Sequence, residues 1–185
     1  MASHFTNIFH RCSRKTLSKL QLLKQNVRQL FDLNPSGGNF CSGYDLKEVA
    51  KGNFYGIASE HGPMGPTKKL LKKPVVASVN GYAVAGGFEL ALWCDLRVVE
   101  ETAVMGFFNR RFGVPLVNGS TVRLPQLIGL SRALDLILTG RPVSAKEAFE
   151  MGIATKITAC GTGEYDMLWK ILHFEKFNYC KICIV

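Results

Sequence analysis

The sequence lacks any long hydrophobic run and is short of acidic residues. No apolar stretch approaches the ~20 residues that a membrane-spanning helix needs, so no transmembrane segment is expected. Asp and Glu number 14 against 23 Lys and Arg, which gives a net charge of +9. A chain of this charge favours anionic partners, but charge alone does not separate phosphate-bearing ligands from RNA or an acidic membrane surface.

Acidic residues are absent from the start of the chain, where Asp32 is the first. Basic residues with Ser and Leu between them are typical of a mitochondrial transit peptide. Leucines at three- and four-residue steps fit a basic amphipathic helix equally well. Residues 1–36 are therefore set apart as a basic N-terminal segment, and the expected location is mitochondrial, with cytoplasmic or peroxisomal as the alternative.

Cysteine is present, but not in a pattern that defines a fold. Six cysteines are spread over 185 residues, and in a chain of this length they do not establish a disulfide framework. Free thiols are expected, and no metal ligand is assigned. With 47% hydrophobic residues the chain can bury one core, and its length suggests a single domain.

The stretch from Lys73 to Arg97 predicts a strand, a turn and a helix. Val75–Val79 is a short β-branched run, and Gly86-Gly87 opens a helical pattern. The first N–H groups of a helix have no internal partner and can hold an oxyanion, while Glu89 lies about one turn further on. Two interpretations stay open: a ligand site, or glycines that only permit close packing.

A second glycine-rich turn, residues 37–48, also leads into a helical pattern. It offers another set of backbone N–H groups. Two turns of this kind can act as a pair on one ligand atom.

Three segments in this order carry a resemblance: FCSGYDLKE, KPVVASVNGYAVAGGFELALWCDLRV and VRLPQLIGLSRALDLILTGRPVSAKEAFEMGIA. Together they resemble the crotonase (enoyl-CoA hydratase/isomerase) superfamily from about Gly37 to Ile157. The resemblance implies an α/β fold of the ClpP/crotonase type, a superhelix of repeated ββα units. Residues 37–157 would form the core, residues 158–185 an atypical tail, and the fold would be incomplete at both ends.

The resemblance also implies the site. The backbone N–H groups of Tyr44 and Gly86 would form an oxyanion hole for a thioester carbonyl, and Glu89 would transfer the proton. The run Asp45, Leu46 and Lys47 would lie along the coenzyme A channel. A direct role for the Tyr44 hydroxyl stays open, because the side chain can instead fill space or reach a polar partner.

Asn109 stands where hydratases of this family commonly carry a second glutamate. An asparagine amide can hold a water molecule but cannot exchange its proton at neutral pH. The implied activity is hydration or double-bond isomerisation of an enoyl-CoA in fatty acid metabolism. The alternative is a non-catalytic acyl-CoA binder or a defective truncated isoform.

Coenzyme A is part of the expected substrate, and no separate cofactor is implied. A homotrimer or hexamer is expected if the core is complete enough, and RNA is not an expected partner. Because Pro35 breaks the segment before Phe40, the family's strand at this place is missing or replaced, which would leave a sheet edge without its neighbour.

Later segments predict short strands at 95–99 and 103–108 and a helix after Leu130 that ends at Gly140. Ser144 and Glu147 fit a capping box that opens another helix. Three arginines, Arg110, Arg111 and Arg123, are expected to pair either with phosphate or with structural carboxylates.

Overall fold

The computed structural model describes residues 38–51, 65–70, 75–161 and 183–184. The basic segment 1–36 and most of the 158–185 tail lie outside the described residues. No helix in the described ranges combines the length and hydrophobicity needed to span a bilayer.

Two sheets form the framework of the described part of the chain. The four-stranded sheet has parallel neighbours throughout, in the order β6 (Lys156–Thr158), β3 (Leu96–Glu100), β1 (Val75–Val79) and β7 (Cys183–Ile184). The three-stranded sheet has the order β2 (Tyr82–Val84), β4 (Val104–Gly106) and β5 (Val143–Ser144). In it, β2 and β4 are parallel, and β5 is antiparallel to β4.

The chain places one strand in each sheet before it forms a helix. β1 and β2 precede the helix Gly86–Trp93, and β3 and β4 precede the 3₁₀ turn Phe108–Phe112. This alternation is the ββα repeat that the resemblance implies, and the predicted α/β class is confirmed. The strand predicted at 103–108 is shorter than expected, because Phe108 already begins the 3₁₀ turn.

Five α-helices accompany the sheets in the described ranges: α1 (Leu46–Ala50), α2 (Gly86–Trp93), α3 (Ser120–Ile128), α4 (Leu130–Thr139) and α5 (Ala145–Glu150). A second 3₁₀ turn covers Gly65–Lys68. As predicted, α4 begins at Leu130 and ends at Gly140, whose φ of 60° is left-handed. Ser144 accepts a hydrogen bond from the Glu147 N–H, as in a capping box, but the Glu147 side chain instead pairs with Arg141 at 2.8 Å.

Helix α2 is the central element of the core. Seven of its eight residues are buried, as expected for a helix that is apolar on every side. Phe88 packs against Phe107 with ring centroids 4.8 Å apart. Glu89 is the one charged residue of this helix and is 2% exposed. A buried charge is tolerated only where partners compensate its lost hydration, so Glu89 must be held by neighbouring donors.

The C-terminal end of α2 is closed by the buried guanidinium of Arg97. Its N–H groups donate to the carbonyl oxygens of Ala91, Cys94, Asp95 and Ile153. The last carbonyls of a helix lack internal donors and carry the negative end of the dipole. Burial lowers the pKa of Arg97, and the four carbonyl acceptors compensate for the water that the guanidinium loses.

The outer edge of β1 carries a strand from the far end of the sequence. Val75 and Val76 pair in parallel with Cys183 and Ile184. This edge of β1 therefore has a neighbour, while the segment before Phe40, whose missing strand was expected to leave a sheet edge open, lies largely outside the described residues. The resemblance concerned the strand before Phe40, and it gave no information about what a later segment could supply.

Candidate active site

The glycine-rich turn at residues 37–48 is fixed beside β2 by backbone hydrogen bonds. Phe40 N–H donates to Asn80 O, and Cys41 N–H donates to Tyr82 O at 3.0 Å. Val84 N–H donates back to Cys41 O at 2.9 Å. Residues 40–41 thus run beside β2, and the chain enters the turn at Gly43 directly next to the start of α2.

The two turns touch at their glycines. A methyl group built on Gly43 would lie 2.9 Å from Gly86 N, and one on Gly87 would lie 2.0 Å from Cys41 O. Gly43 also has a φ of +92°, which disfavours any side chain. Tyr44 follows Gly43 directly, so the predicted pair of amides, those of Tyr44 and Gly86, is brought into one place.

Ala85 is strained at the entrance to α2. Its φ of 52° and ψ of −124° lie in a region that residues with a side chain rarely adopt. Its N–H donates to Gly106 O at 2.8 Å, and its carbonyl accepts from Phe88 and Glu89. These three bonds hold Ala85 in this conformation. Gly86 is the first residue of the helix, and its N–H has no acceptor among the described residues.

Four hydrogen bonds hold the carboxylate of Glu89. Oε1 accepts from Asn118 N–H at 3.0 Å, from Ser120 N–H at 3.3 Å and from the Ser120 hydroxyl at 2.7 Å. Oε2 accepts from Asn118 Nδ2 at 3.0 Å. These donors replace the water that the buried carboxylate loses and hold it in one fixed orientation.

Thr67 and Arg123 are among the residues that hold Asn118. The Thr67 hydroxyl donates to Asn118 Oδ1 at 3.0 Å. Arg123 donates to the backbone carbonyls of Asn118 and Thr67, and its positive charge acts on Glu89. Arg123 was predicted to pair with phosphate or a carboxylate; its described hydrogen bonds go to carbonyls instead.

Tyr44 contributes a phenol to the same cluster. Burial raises the pKa of Tyr44 well above its usual range, a hydrogen bond with the Asn118 side chain lowers it, and the charge of Glu89 raises it further. The phenol therefore stays protonated at neutral pH. It is a hydrogen-bonding group at neutral pH and not a base.

Asn109 is 7% exposed. Its Nδ2 donates to Val114 O at 2.7 Å, which fixes the amide, because a carbonyl only accepts. Among the described residues, Oδ1 receives no hydrogen bond. Asn109 therefore offers an acceptor next to the cluster around Glu89.

These groups line one cleft of about 310 Å³. Tyr44, Gly86, Glu89 and Asn109 are all part of its wall, together with apolar side chains such as Phe108 and Val114. The predicted catalytic set is thus brought together.

The predicted channel residues divide into two groups. Leu46 lines the cleft. Asp45 and Lys47 are exposed and lie outside the lining, where the Asp45 carboxylate accepts from Lys47 N–H at the start of α1. The Asp45 carboxylate thus makes a capping contact, and of the three residues Leu46 is the one that lines the cleft; their place along a coenzyme A channel stays a prediction.

Comparison with known proteins identifies the family. A family model described as enoyl-CoA hydratase/isomerase matches residues 20–163. The chain belongs to the enoyl-CoA hydratase/isomerase family.

Similar proteins of this family come from distant organisms. Human mitochondrial methylglutaconyl-CoA hydratase is 37% identical over 153 residues, covering 77% of this chain and 44% of the relative. Enoyl-CoA hydratase EchA19 of Mycobacterium tuberculosis is 38% identical over 136 residues, covering 70% and 51%. The solved structure of enoyl-CoA hydratase EchA1 from Mycobacterium marinum matches with a TM-score of 0.70 and 32% identity, over 84% of this chain and 64% of that one. The chain spans less than two thirds of each of these family members.

The residues that hold Glu89 were not found from the sequence. Asn118 and Ser120 lie 29 and 31 positions away from it, and no short motif joins them to the glycine turns. One local signal was available, because Asn118-Gly119-Ser120-Thr121 is a typical helix start with small polar residues.

The described residues contain no group of three or more His, Cys, Asp or Glu that could hold a metal ion.

Proposed function

We propose that this family member binds a coenzyme A thioester and uses Glu89 to move a proton next to its carbonyl, in hydration or double-bond isomerisation of an enoyl-CoA. One observation carries the proposal. A fully buried carboxylate shares its cleft with the paired glycine turns at Gly43 and Gly86. Family membership supports the same chemistry.

The two parts of the cleft suit the two demands of the reaction. Removing a proton from the carbon beside a thioester carbonyl places negative charge on the carbonyl oxygen, and backbone N–H donors aimed at that oxygen stabilise the charge until the proton returns. The amides of Tyr44 and Gly86 are the proposed donors. Glu89 is the proposed acid and base, because a positioned carboxylate can take a proton and return it elsewhere.

Asn109 bears on which reaction is performed. Its amide can accept a hydrogen bond through Oδ1 but cannot exchange a proton at neutral pH. Isomerisation needs one carboxylate that shuttles one proton, which Glu89 supplies. Hydration also needs a water that is activated and oriented, so Glu89 would have to do both jobs with Asn109 holding the water.

The test compares the protein with its Glu89→Gln variant. Incubation of an acyl-CoA in D₂O, followed by mass spectrometry, measures exchange of the α-proton, and incubation with a 2-enoyl- or 3-enoyl-CoA measures hydration and isomerisation. We expect Glu89→Gln to lower exchange about 10²- to 10⁴-fold, with little change in acyl-CoA affinity. Glu150→Gln, an exposed residue of α5, serves as the matched control.

A second candidate function is acyl-CoA binding without turnover, which the amide at Asn109 favours. Saturable acyl-CoA binding with equal, background exchange in the protein and in Glu89→Gln would establish that alternative and exclude the enzymatic one. Absence of acyl-CoA binding would exclude both.

Location and assembly are part of the proposal. Relatives are named as mitochondrial or peroxisomal, and the basic segment 1–36 is the proposed mitochondrial signal. A reporter fused behind residues 1–36 should enter mitochondria, and loss of the segment should abolish import. Size-exclusion chromatography with light scattering tests the proposed homotrimer or hexamer.

A further inference from the structure

The two oxygens of the Glu89 carboxylate are not equivalent. Oε1 accepts three hydrogen bonds, from the Asn118 and Ser120 backbones and the Ser120 hydroxyl. Oε2 accepts one, from Asn118 Nδ2. A carboxylate oxygen has about two lone-pair sites, so among the described contacts Oε1 is saturated and Oε2 keeps one site. Oε2 is therefore the oxygen that keeps an acceptor site for a further partner.

The single donor on Oε2 is fixed in direction. Asn118 must present Nδ2 to Glu89, because an ionised carboxylate only accepts. Its Oδ1 then faces the Thr67 hydroxyl, which donates to it at 3.0 Å. Arg123 donates to the carbonyls of both Thr67 and Asn118. The hydrogen bonds therefore run in one direction, from Thr67 through Asn118 to Glu89.

This direction disfavours a proton on Glu89. Within the described contacts, three of its four partners are N–H groups, which cannot accept a hydrogen bond from a carboxylic acid. The Ser120 hydroxyl can rotate and accept, but it lies on Oε1. A proton on Oε2 would weaken the charge-assisted bond from Asn118 Nδ2, which cannot accept a hydrogen bond in return.

We propose that Asn118 is a positioning residue that holds Glu89 as a carboxylate and leaves Oε2 as the atom that takes and returns the proton. The inference rests on the proposed function. In the forward step the C–H bond at the α-carbon breaks, its electron pair stays on the thioester as the enolate, and the proton bonds to Oε2. The return step reverses this at the α- or γ-carbon.

Two ionisable side chains described beside Glu89 keep their protonation state in the acidic range. Arg123, on α3, carries the opposite charge, and Tyr44, from the turn at residues 37–48, carries a phenol that burial keeps neutral. Asn118 and Ser120 do not titrate. Among the described groups that act on Glu89, neither Arg123 nor Tyr44 changes charge in the acidic range.

The test is an NMR titration of the unliganded protein. With ¹³C-labelled glutamate, the Glu89 carboxylate is assigned by its absence in Glu89→Gln, and its titration midpoint is compared with that in Asn118→Asp. The substitution places a second carboxylate against Oε2, and two adjacent carboxylates cannot both ionise easily. We expect the midpoint to rise by about 1 to 3 pH units. Gln126→Glu is the same amide-to-acid change at an exposed site of α3. It should shift the Glu89 midpoint by no more than a few tenths of a pH unit.

An Asn118→Asp midpoint equal to that of Gln126→Glu would overturn the proposal. If Asn118→Asp does not fold, Asn118→Ala carries the test: loss of the Nδ2 donor should raise the midpoint by about one unit, and an unchanged value overturns the proposal. In an active protein, the pH at which the proton-exchange rate falls on the acidic side should shift in each variant by the same amount as the NMR midpoint. Because the titration needs no substrate, it separates this inference from the proposed function, whose failure appears as absent exchange in the unmodified protein.

Discussion

Gly43 is the residue at which the two glycine turns come closest, so it tests the site at the smallest scale. Gly43→Ala would put a methyl group 2.9 Å from Gly86 N and force a side chain into a φ of +92°. The amides of Tyr44 and Gly86 would move relative to each other. We expect proton exchange on acyl-CoA to fall about 10²- to 10³-fold, the usual effect of losing an oxyanion donor.

Gly152→Ala is the matched control for that substitution. Gly152 has a φ of +84°, but a methyl group there meets nothing within 4 Å. It should cost only backbone strain of about 1 kcal/mol and leave exchange unchanged. Equal loss of exchange in both variants would mean that strain, and not the position of the amides, causes the effect.

At the residue scale, the sequence predicts the position of a residue when the signal lies in its immediate neighbours. A helix start at Gly86 with Glu89 one turn further on could be predicted from the local pattern, and the resemblance implied their place in the site. Asn118 and Ser120 could not, since their role depends on a contact across about 30 residues. An asparagine before a helix looks like a cap until the fold shows which carboxylate it faces.

Among the elements, α2 has its C-terminal carbonyl groups bound by one side chain from the next strand, β3. Arg97 donates to the carbonyls of Ala91 and Cys94 at the end of the helix and to that of Ile153 beyond it. Arg97→Met would keep the apolar stem but leave these buried acceptors without donors. The free energy of unfolding, measured by urea denaturation, should fall by about 2 to 4 kcal/mol.

Arg132→Met, on the exposed face of α4, is the control and should change the free energy of unfolding by less than about 0.5 kcal/mol. If Arg97→Met is no more destabilising than this control, the guanidinium is not what closes α2.

Helix α3 shows the limit of prediction at this scale. Pro125 disfavours a helix in the sequence. The N–H that proline lacks would have donated only to the carbonyl of the exposed residue Thr121, so the helix forms without it.

For the molecule as a whole, the distinctive feature is the strand Cys183–Ile184 on the edge of β1. Parallel pairing covers backbone groups that an open edge would leave exposed. A chain ending at residue 182 should lose amide-exchange protection in Val75–Val79 and aggregate more readily. Protection in β2, which belongs to the other sheet, is the internal control. Unchanged protection of β1 in the shortened chain would contradict the pairing.

The overall α/β arrangement was predictable because several motifs at fixed spacing imply one fold together. The pairing of β7 was not, since it joins Val75 to Cys183 across more than a hundred residues and a two-residue strand has no periodicity to detect.

The central claim is that two backbone amides from separate turns bind one carbonyl oxygen beside Glu89. ¹H–¹⁵N NMR during titration with a non-reactive acyl-CoA thioether that retains the acyl carbonyl tests it directly. The Tyr44 and Gly86 amide protons should both move downfield and saturate at the same ligand concentration. Binding that shifts only one of them, or neither, would contradict the proposed site.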